Sequence, residues 1–394
     1  MDGRNTNRSN SDSRRRRRLR RERQKKLRRQ RMAVLASAAL LAVCFVGVLI
    51  KVLFFSESSV RSADQRAEGQ GAAGRQTVSE DGAQDHGEQS SASIILKDDA
   101  PLQIKLGDAF TEPGYTAADE DGTDLTSSVQ VDLSGLNRAG EQQVVYTVQG
   151  NNGVTAEAVR QVEVLPNTEY ETPGLPICMY HYVYDPAEPP ESPDSNFIST
   201  TALAEEMQYL HDSGYYFPTW QEVRDYVDGK LLLPEKSIVL TFDDGPNYMY
   251  LGTPVLEQYQ TPATSFVIAS YWDSKEMLYG YASDYLTFQS HSYKMHQGGG
   301  NSGHGGIYTA MSREEVISDL QTSFEICGNS DAFAYPFGDY TEEGCAALEE
   351  AGLLCAVTTE NSKCYPGDNP YLLPRVRMIG SQTLAEFIAA IDGA

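Results

Sequence analysis

The chain has 394 residues and carries 32 Lys and Arg against 55 Asp and Glu, a formal net charge of −23. That balance argues against a nucleic-acid-binding protein, which needs a basic surface for phosphate, and 40% hydrophobic residues exclude wholesale disorder. Thirty-three glycines without a period and six cysteines exclude collagen-like and disulfide-dense classes.

The charge is divided. Residues 1–31 hold fifteen Lys or Arg against three acids, about +12, so everything after them carries about −35. This basic head runs straight into Met32 to Ile50, nineteen residues without a charge, followed by Lys51 and Val52 to Phe55. A run of that length matches the roughly 20 residues needed to cross a bilayer as a helix. Residues 32–55 are therefore expected to be a transmembrane helix, with the head cytoplasmic by the positive-inside rule and touching anionic lipid, and the C-terminal part extracellular. A cleaved signal peptide would have a shorter apolar region and a small-residue cleavage site, where Phe54, Phe55, Ser56 and Glu57 stand instead. Residues 56–91, rich in Ser, Gly, Gln and acids, read as a flexible linker.

Residues 92–166 show short alternating runs, among them Val144 to Val148 and Val159 to Leu165, broken by Asp-Gly and Asn-Asn-Gly turns. Period-2 alternation at this spacing predicts a small all-β sandwich. The segment also resembles bacterial immunoglobulin-like modules through Leu106-Gly107-Asp108, Glu112-Pro113-Gly114, Ala118-Asp119, Asp121-Gly122 and Tyr146-Thr147-Val148. That resemblance implies a spacer or adhesion module.

Residues 173–394 alternate strand and helix signals. Ile177 to Tyr182, Ser237 to Phe242, Thr264 to Ala269 and Leu354 to Thr358 read as strands. Ser199, the Thr219-x-x-Glu222 and Ser312-x-x-Glu315 capping boxes, and Thr341 open helices. Repeated βα units predict an α/β domain with a parallel sheet, barrel-like or doubly wound, with chemistry at the carboxyl ends of its strands.

The strand ending at Phe242 runs directly into Asp243-Asp244-Gly245-Pro246. Adjacent carboxylates at a buried strand end repel unless they share a cation or a proton. His291 and His296, two of only six histidines, lie in Ser290 to His296, and two imidazoles with a carboxylate make a site that leaves coordination positions open.

Thr241 to Pro246, the Ser-His-Ser with its second His, and Tyr335-Pro336-Phe337-Gly338 resemble three motifs of the polysaccharide deacetylases, the NodB homology domain of carbohydrate esterase family 4. The resemblance implies a deformed (β/α) barrel and a divalent metal ion, Zn²⁺ or alternatively Co²⁺ or Ni²⁺, on Asp244, His291 and His296. It also implies Asp243 as general base and the Phe337 backbone N–H, within Tyr335-Pro336-Phe337, as oxyanion donor. Two family features are missing: Ala334 stands where an Arg is usual, and no His follows His304 to supply the usual late general acid. Met179-Tyr180-His181 resembles the poly-N-acetylglucosamine deacetylase branch, in which a permuted barrel brings that His into the site, so His181 is the expected acid, with a structural His as the alternative. Arg375 or Arg377 is the candidate to orient Asp243. The implied reaction is N-deacetylation of an acetylated cell-surface polysaccharide. Peptidoglycan deacetylation, O-deacetylation and an inactive glycan-binding protein remain alternatives. Trp220, Trp272 and the Tyr-rich stretches read as core or as sugar-stacking rings, and His304, in the glycine-rich loop Gln297 to Gly306 that composition makes mobile, reads as solvated, with a contact to substrate or metal as the alternative.

Overall fold

The computed structural model describes residues 90–98, 102–245 and 249–393. The expected transmembrane helix, basic head and most of the linker lie outside these residues. Among the described residues no helix is long and apolar enough to cross a membrane.

The first module is built from two small sheets. β1 (Ala92–Leu96) pairs antiparallel with β3 (Tyr115–Asp119), and β2 (Leu102–Lys105), β6 (Thr155–Leu165), β5 (Gly140–Gln149) and β4 (Gln130–Asp132) follow one another in the second. Exposed and buried residues alternate along β5 and β6, as one-sided burial requires, and Leu106, Val144, Tyr146, Val162 and Val164 form the core between the sheets.

The second module is a curled, all-parallel sheet in the order β14, β13, β12, β11, β10, β7, β15. Its strands are β7 (Ile177–Tyr180), β10 (Val239–Phe242), β11 (Ala263–Val267), β12 (Leu286–Ser290), β13 (Ala332–Ala334), β14 (Cys355–Val357) and β15 (Val376–Arg377). All four residues of β7 and of β10 are buried, which is what helices on one face and barrel filling on the other demand. A short parallel pair, β8 (Tyr182–Tyr184) with β9 (Phe197–Ser199), follows directly from β7. The two edges of the curled sheet meet at Leu373 to Arg377. Leu373 exchanges hydrogen bonds with β14, donating to the Ala356 carbonyl and accepting from Thr358 N–H, both at 2.9 Å, and β15 pairs with β7.

Helices α1 (Thr200–Asp212), α2 (Trp220–Val227), α3 (Thr253–Tyr259), α4 (Lys275–Tyr279), α5 (Arg313–Cys327), α6 (Glu342–Glu350) and α7 (Leu384–Asp392) complete the domain. The capping boxes at Thr219/Glu222 and Ser312/Glu315 form as expected, and a third, Thr383/Glu386, opens α7. Helix α2 packs Trp220, Val223, Tyr226 and Val227 against Ile177, Val239 and Phe266, closing the barrel at the amino ends of its strands. The end of α2 and the loop after it are the attachment point of the β-sandwich: Lys230 O accepts from Ala139 N–H (2.9 Å), Leu232 N–H donates to Asn137 O (2.8 Å), and Arg138 pairs with Asp225 of α2 (2.8 Å). The sandwich is thus docked on the barrel floor by a short antiparallel contact, at the end opposite the carboxyl ends of the strands.

Glu206 on α1 is an ionisable group inside this packing. Its carboxylate accepts from Tyr180 Oη (2.7 Å) and Gln382 Nε2 (2.8 Å), yet burial pushes its pKa up to about 7. A carboxyl that binds its proton more tightly folded than unfolded contributes stability below its ordinary value of 4.5 that is lost as pH rises through 7. Glu206→Gln is therefore expected to be less sensitive than the parent chain between pH 5 and 8 in urea unfolding. The difference should be no more than about 3 kcal/mol; parallel curves would contradict this placement of the charge.

Candidate metal centre and its surroundings

Strand alternation builds the site. Ile177, Val239 and Phe266 point into the barrel, so the positions two and four residues beyond Ile177 and Val239 on β7 and β10 do so too. The inward series therefore end at His181, one residue past β7, and Asp243, one past β10, while His291 follows the last residue of β12. Each lies at the carboxyl end of its strand.

Asp243 is buried, and both of its oxygens are held by Arg375: Nη1 reaches Oδ1 and Nη2 reaches Oδ2, each at 2.8 Å. Arg375 is itself fully buried in the segment that joins the two sheet edges. Its Nε donates to Thr358 O (2.8 Å), Nη1 also reaches Thr241 Oγ1 (3.2 Å), and the guanidinium lies 6.0 Å from the Phe266 ring centre. Burial pushes the Asp243 carboxyl up, but the charge and hydrogen bonds of Arg375, with His291 and His181 nearby, outweigh it and hold Asp243 well below the usual carboxylate range. Arg377, the other candidate, is exposed and donates to Asn196 Oδ1.

Asp244, His291 and His296 each offer a ligand atom, and these atoms lie within 4.8 Å of one another. His296 Nε2 is 3.5 Å from Asp244 Oδ1 and His291 Nε2 is 3.8 Å from the same oxygen. Two ligands on one zinc ion stand about 3.4 Å apart, so the three atoms are spaced for one cation. The second contacts fit as well. His291 Nδ1 bonds the Ala334 carbonyl (2.7 Å), so Nδ1 carries the hydrogen and Nε2 keeps its lone pair for a cation. Burial lowers the His291 pKa to about 4, against the pull of Asp243 and Asp244, keeping the ring neutral as a ligand must be. Tyr182 donates from its hydroxyl to Asp244 Oδ2. The donor set fits a divalent ion with open positions.

Three of the five non-glycine residues with positive φ among those described are Asp244 (72°), Ser292 (74°) and Phe337 (62°). Backbone held in this region costs of order 1–2 kcal/mol per residue and is concentrated here where it aims the site. Phe337 is partly exposed and its ring packs 4.5 Å from that of His296. Pro336 is buried, and Tyr335 points away from the centre into the core with its hydroxyl donating to Tyr371 O (2.9 Å). Of the motif Tyr335 to Phe337, only Phe337 has its side chain at the centre.

His181 is half-buried, edge-on to Tyr182, and close enough to Asp243 to help depress its pKa. Trp220 is in the barrel floor with its Nε1 on Thr264 Oγ1 (3.1 Å), and Trp272 is also buried, so neither is an exposed sugar platform. The five described cysteines are unpaired. Burial pushes the Cys327 and Cys355 thiols up to about 12, which leaves them inert as nucleophiles. Sequence reasoning passed over Tyr182 and the Ala334 carbonyl. Tyr182 adjoins His181, which was the available signal.

The family of polysaccharide deacetylases matches residues 231–356, and that of bacterial surface protein Ig-like domains matches residues 94–164. The YxkH protein of Bacillus subtilis (strain 168) is 27% identical over 226 residues, which span 55% of this chain and 76% of its own. A poly-beta-1,6-N-acetyl-D-glucosamine N-deacetylase of Staphylococcus aureus (strain MRSA252) is 24% identical over 213 residues, 50% of this chain and 72% of that one. Among solved structures, IcaB from Ammonifex degensii has 27% identity and a TM-score of 0.47, covering 56% of this chain and 97% of its own. With an aspartate pair and two histidines gathered at the strand ends, residues 231–356 carry a polysaccharide deacetylase domain, preceded at residues 94–164 by an immunoglobulin-like domain of bacterial surface proteins.

Proposed function

We propose that the protein removes N-acetyl groups from a cell-surface polymer of N-acetylglucosamine and releases acetate. The observation that carries this reading is the pairing of a three-ligand cluster, Asp244, His291 and His296, with a neighbouring carboxylate that Arg375 keeps ionised. A divalent ion there, Zn²⁺ by the histidine-rich donor set, would supply Lewis acidity and lower the pKa of a water from 15.7 toward roughly 7.

The chain's own groups do the rest. Asp243, ionised throughout the physiological range at some expense of basicity, takes the proton of the attacking water. The Phe337 N–H donates to the acetamide oxygen as charge gathers on it, a contact worth about 2.7–4 kcal/mol. His181 gives its proton to the sugar nitrogen as the C–N bond breaks, so acetate and a glucosamine unit leave. Arg375 orients Asp243 in place of the arginine that the family usually carries at the position of Ala334.

His181→Ala is expected to lower kcat on an acetamide about 10²–10⁴-fold. An activated aryl acetate, whose leaving group needs no proton, should be affected far less. Equal losses on both substrates would contradict its role as the acid.

We place this domain outside the cell membrane on a single span at residues 32–55, with the basic head in the cytoplasm against anionic lipid. The hydropathy and charge of residues 1–55 support this. Acetate release from β-1,6-linked N-acetylglucosamine oligomers, chitooligosaccharides, peptidoglycan and acetylated xylan tests the substrate. Preference for the β-1,6 polymer is expected from the Met179-Tyr180-His181 strand. Preference for peptidoglycan or xylan would reassign the substrate, and no release from any would leave a glycan-binding protein.

A further inference from the structure

His304 stands outside every step above, in the loop Gln297 to Gly306. The many glycines of that loop serve close approach. The chain wraps Asp339, whose Oδ1 accepts from His304 N–H (2.7 Å) and Oδ2 from Gly306 N–H (2.8 Å). A Cβ on Gly303, at φ +63°, would lie 2.1 Å from Asp339 Oδ1, and one on Gly306 would lie 2.9 Å from the Phe337 ring. Backbone bonds between Gly299 and Gly305 and between Ile307 and Gln297 tie the loop further.

Asp339 is buried, and burial pushes its carboxyl up, but the two backbone N–H groups and His304 outweigh this and keep it below the usual carboxylate range. Its third bond goes to His304 Nδ1 (3.0 Å). The imidazole is nevertheless 72% exposed. The loop is already anchored by main-chain bonds, so holding this ring adds little to the fold. What the bond does is fix an exposed ring with Nδ1 on the carboxylate and Nε2 facing outward.

The place of that ring is set by its neighbours. Gly306 lies against Phe337, and Phe337 lies against the ligand His296. Phe337 and Tyr340, on either side of Asp339, are 38% and 36% exposed, and Tyr340 is held by its hydroxyl on Glu360 Oε1 (2.9 Å). A polar, oriented imidazole on a loop that packs against the exposed Phe337 ring, itself against His296, is the composition of a sugar subsite.

We propose that His304, oriented by Asp339, binds a sugar of the polymer next to the one being deacetylated, its Nε2 bonding a hydroxyl, so that chains bind more tightly than single sugars. This deepens the function proposed above and rests on that reading.

Steady-state kinetics of the full, metal-loaded chain on the β-1,6-linked N-acetylglucosamine monomer and pentamer test it. His304→Ala keeps both main-chain bonds to Asp339 and is expected to raise KM for the pentamer about tenfold while kcat moves less than threefold, with a smaller loss on the monomer. His304→Gln, which keeps a polar tip, should regain part of that affinity and guards against a folding defect of the alanine variant. Equal losses at both lengths, or a loss confined to kcat, would overturn the proposal while leaving the deacetylase reading intact. If the parent chain releases no acetate from any polymer, that reading fails, and equilibrium binding of the pentamer still decides here. A tenfold weaker His304→Ala supports the subsite and equal affinities overturn it.

Discussion

Asp244→Ala is expected to lower acetate release at least roughly 1,000-fold and to leave the chain with almost no bound divalent metal. Asp244 Oδ1 is the oxygen that both histidines face, at 3.5 and 3.8 Å, so its removal leaves two imidazoles without the anion that completes the set. The fold should survive. Asp244 is only partly buried, and the cost of alanine at φ 72° is about 1–2 kcal/mol. Metal analysis and acetate assays on the same preparation check this, with circular dichroism to establish folding. A folded variant that keeps full activity and its metal would refute the assignment of Asp244 as a ligand.

The second large effect belongs to Arg375. Arg375→Met leaves Asp243 buried and unpaired, and removing one partner of such a pair costs about 3–5 kcal/mol. Urea unfolding should register that loss at pH 7, with activity abolished because Asp243 is no longer held. Arg375→Lys should fail as well, since one ammonium cannot replace a fork that reaches Asp243 through two nitrogens, Thr358 through a third and Thr241 besides. Asp243→Leu with Arg375→Met removes both charges and should recover much of the stability while remaining inactive. Stability losses that simply add in the double variant would contradict the pairing. The sign with pH follows from the direction of the Asp243 shift. Its folded pKa lies below the unfolded value, so the contribution is present above the ordinary 3.8 and fades as pH falls below it.

Much of this site was legible before any coordinates. Asp243, Asp244, His291 and His296 follow from an apolar strand that runs into two carboxylates and from two clustered histidines among six. The alternation that buries Val239 and Phe266 inside the barrel also sends Asp243 inward, and the same rule applied to Met179 sends His181 there. Arg375 was only half legible. Leu373-Pro374-Arg375-Val376-Arg377 offers two arginines two apart, which project alike from a strand, and only the barrel closure at Leu373 decides that 375 is buried and 377 is not. Tyr182 escaped because its contact with Asp244 depends on the break between β7 and β8 at residue 181, which the apolar run Ile177 to Tyr182 does not announce. The arrangement of the glycine-rich loop was not legible from its composition. Its glycines bring main chain against a buried carboxylate, a contact 35 residues apart in sequence that no local pattern encodes. The sandwich was expected as a spacer; its docking through Ala139, Arg138 and Asn137 on α2 and the loop after it is a tertiary contact with no local signal.

The most direct single measurement is acetate release from a β-1,6-linked N-acetylglucosamine pentamer by the chain stripped of divalent metal with a chelator, before and after one equivalent of Zn²⁺ is restored. Release should fall to background when the metal is removed and return when it is added, with the product oligomer carrying free amines. Release that continues undiminished in the stripped chain, or none from the zinc-loaded one, would contradict a metal-dependent N-deacetylase centred on Asp244, His291 and His296.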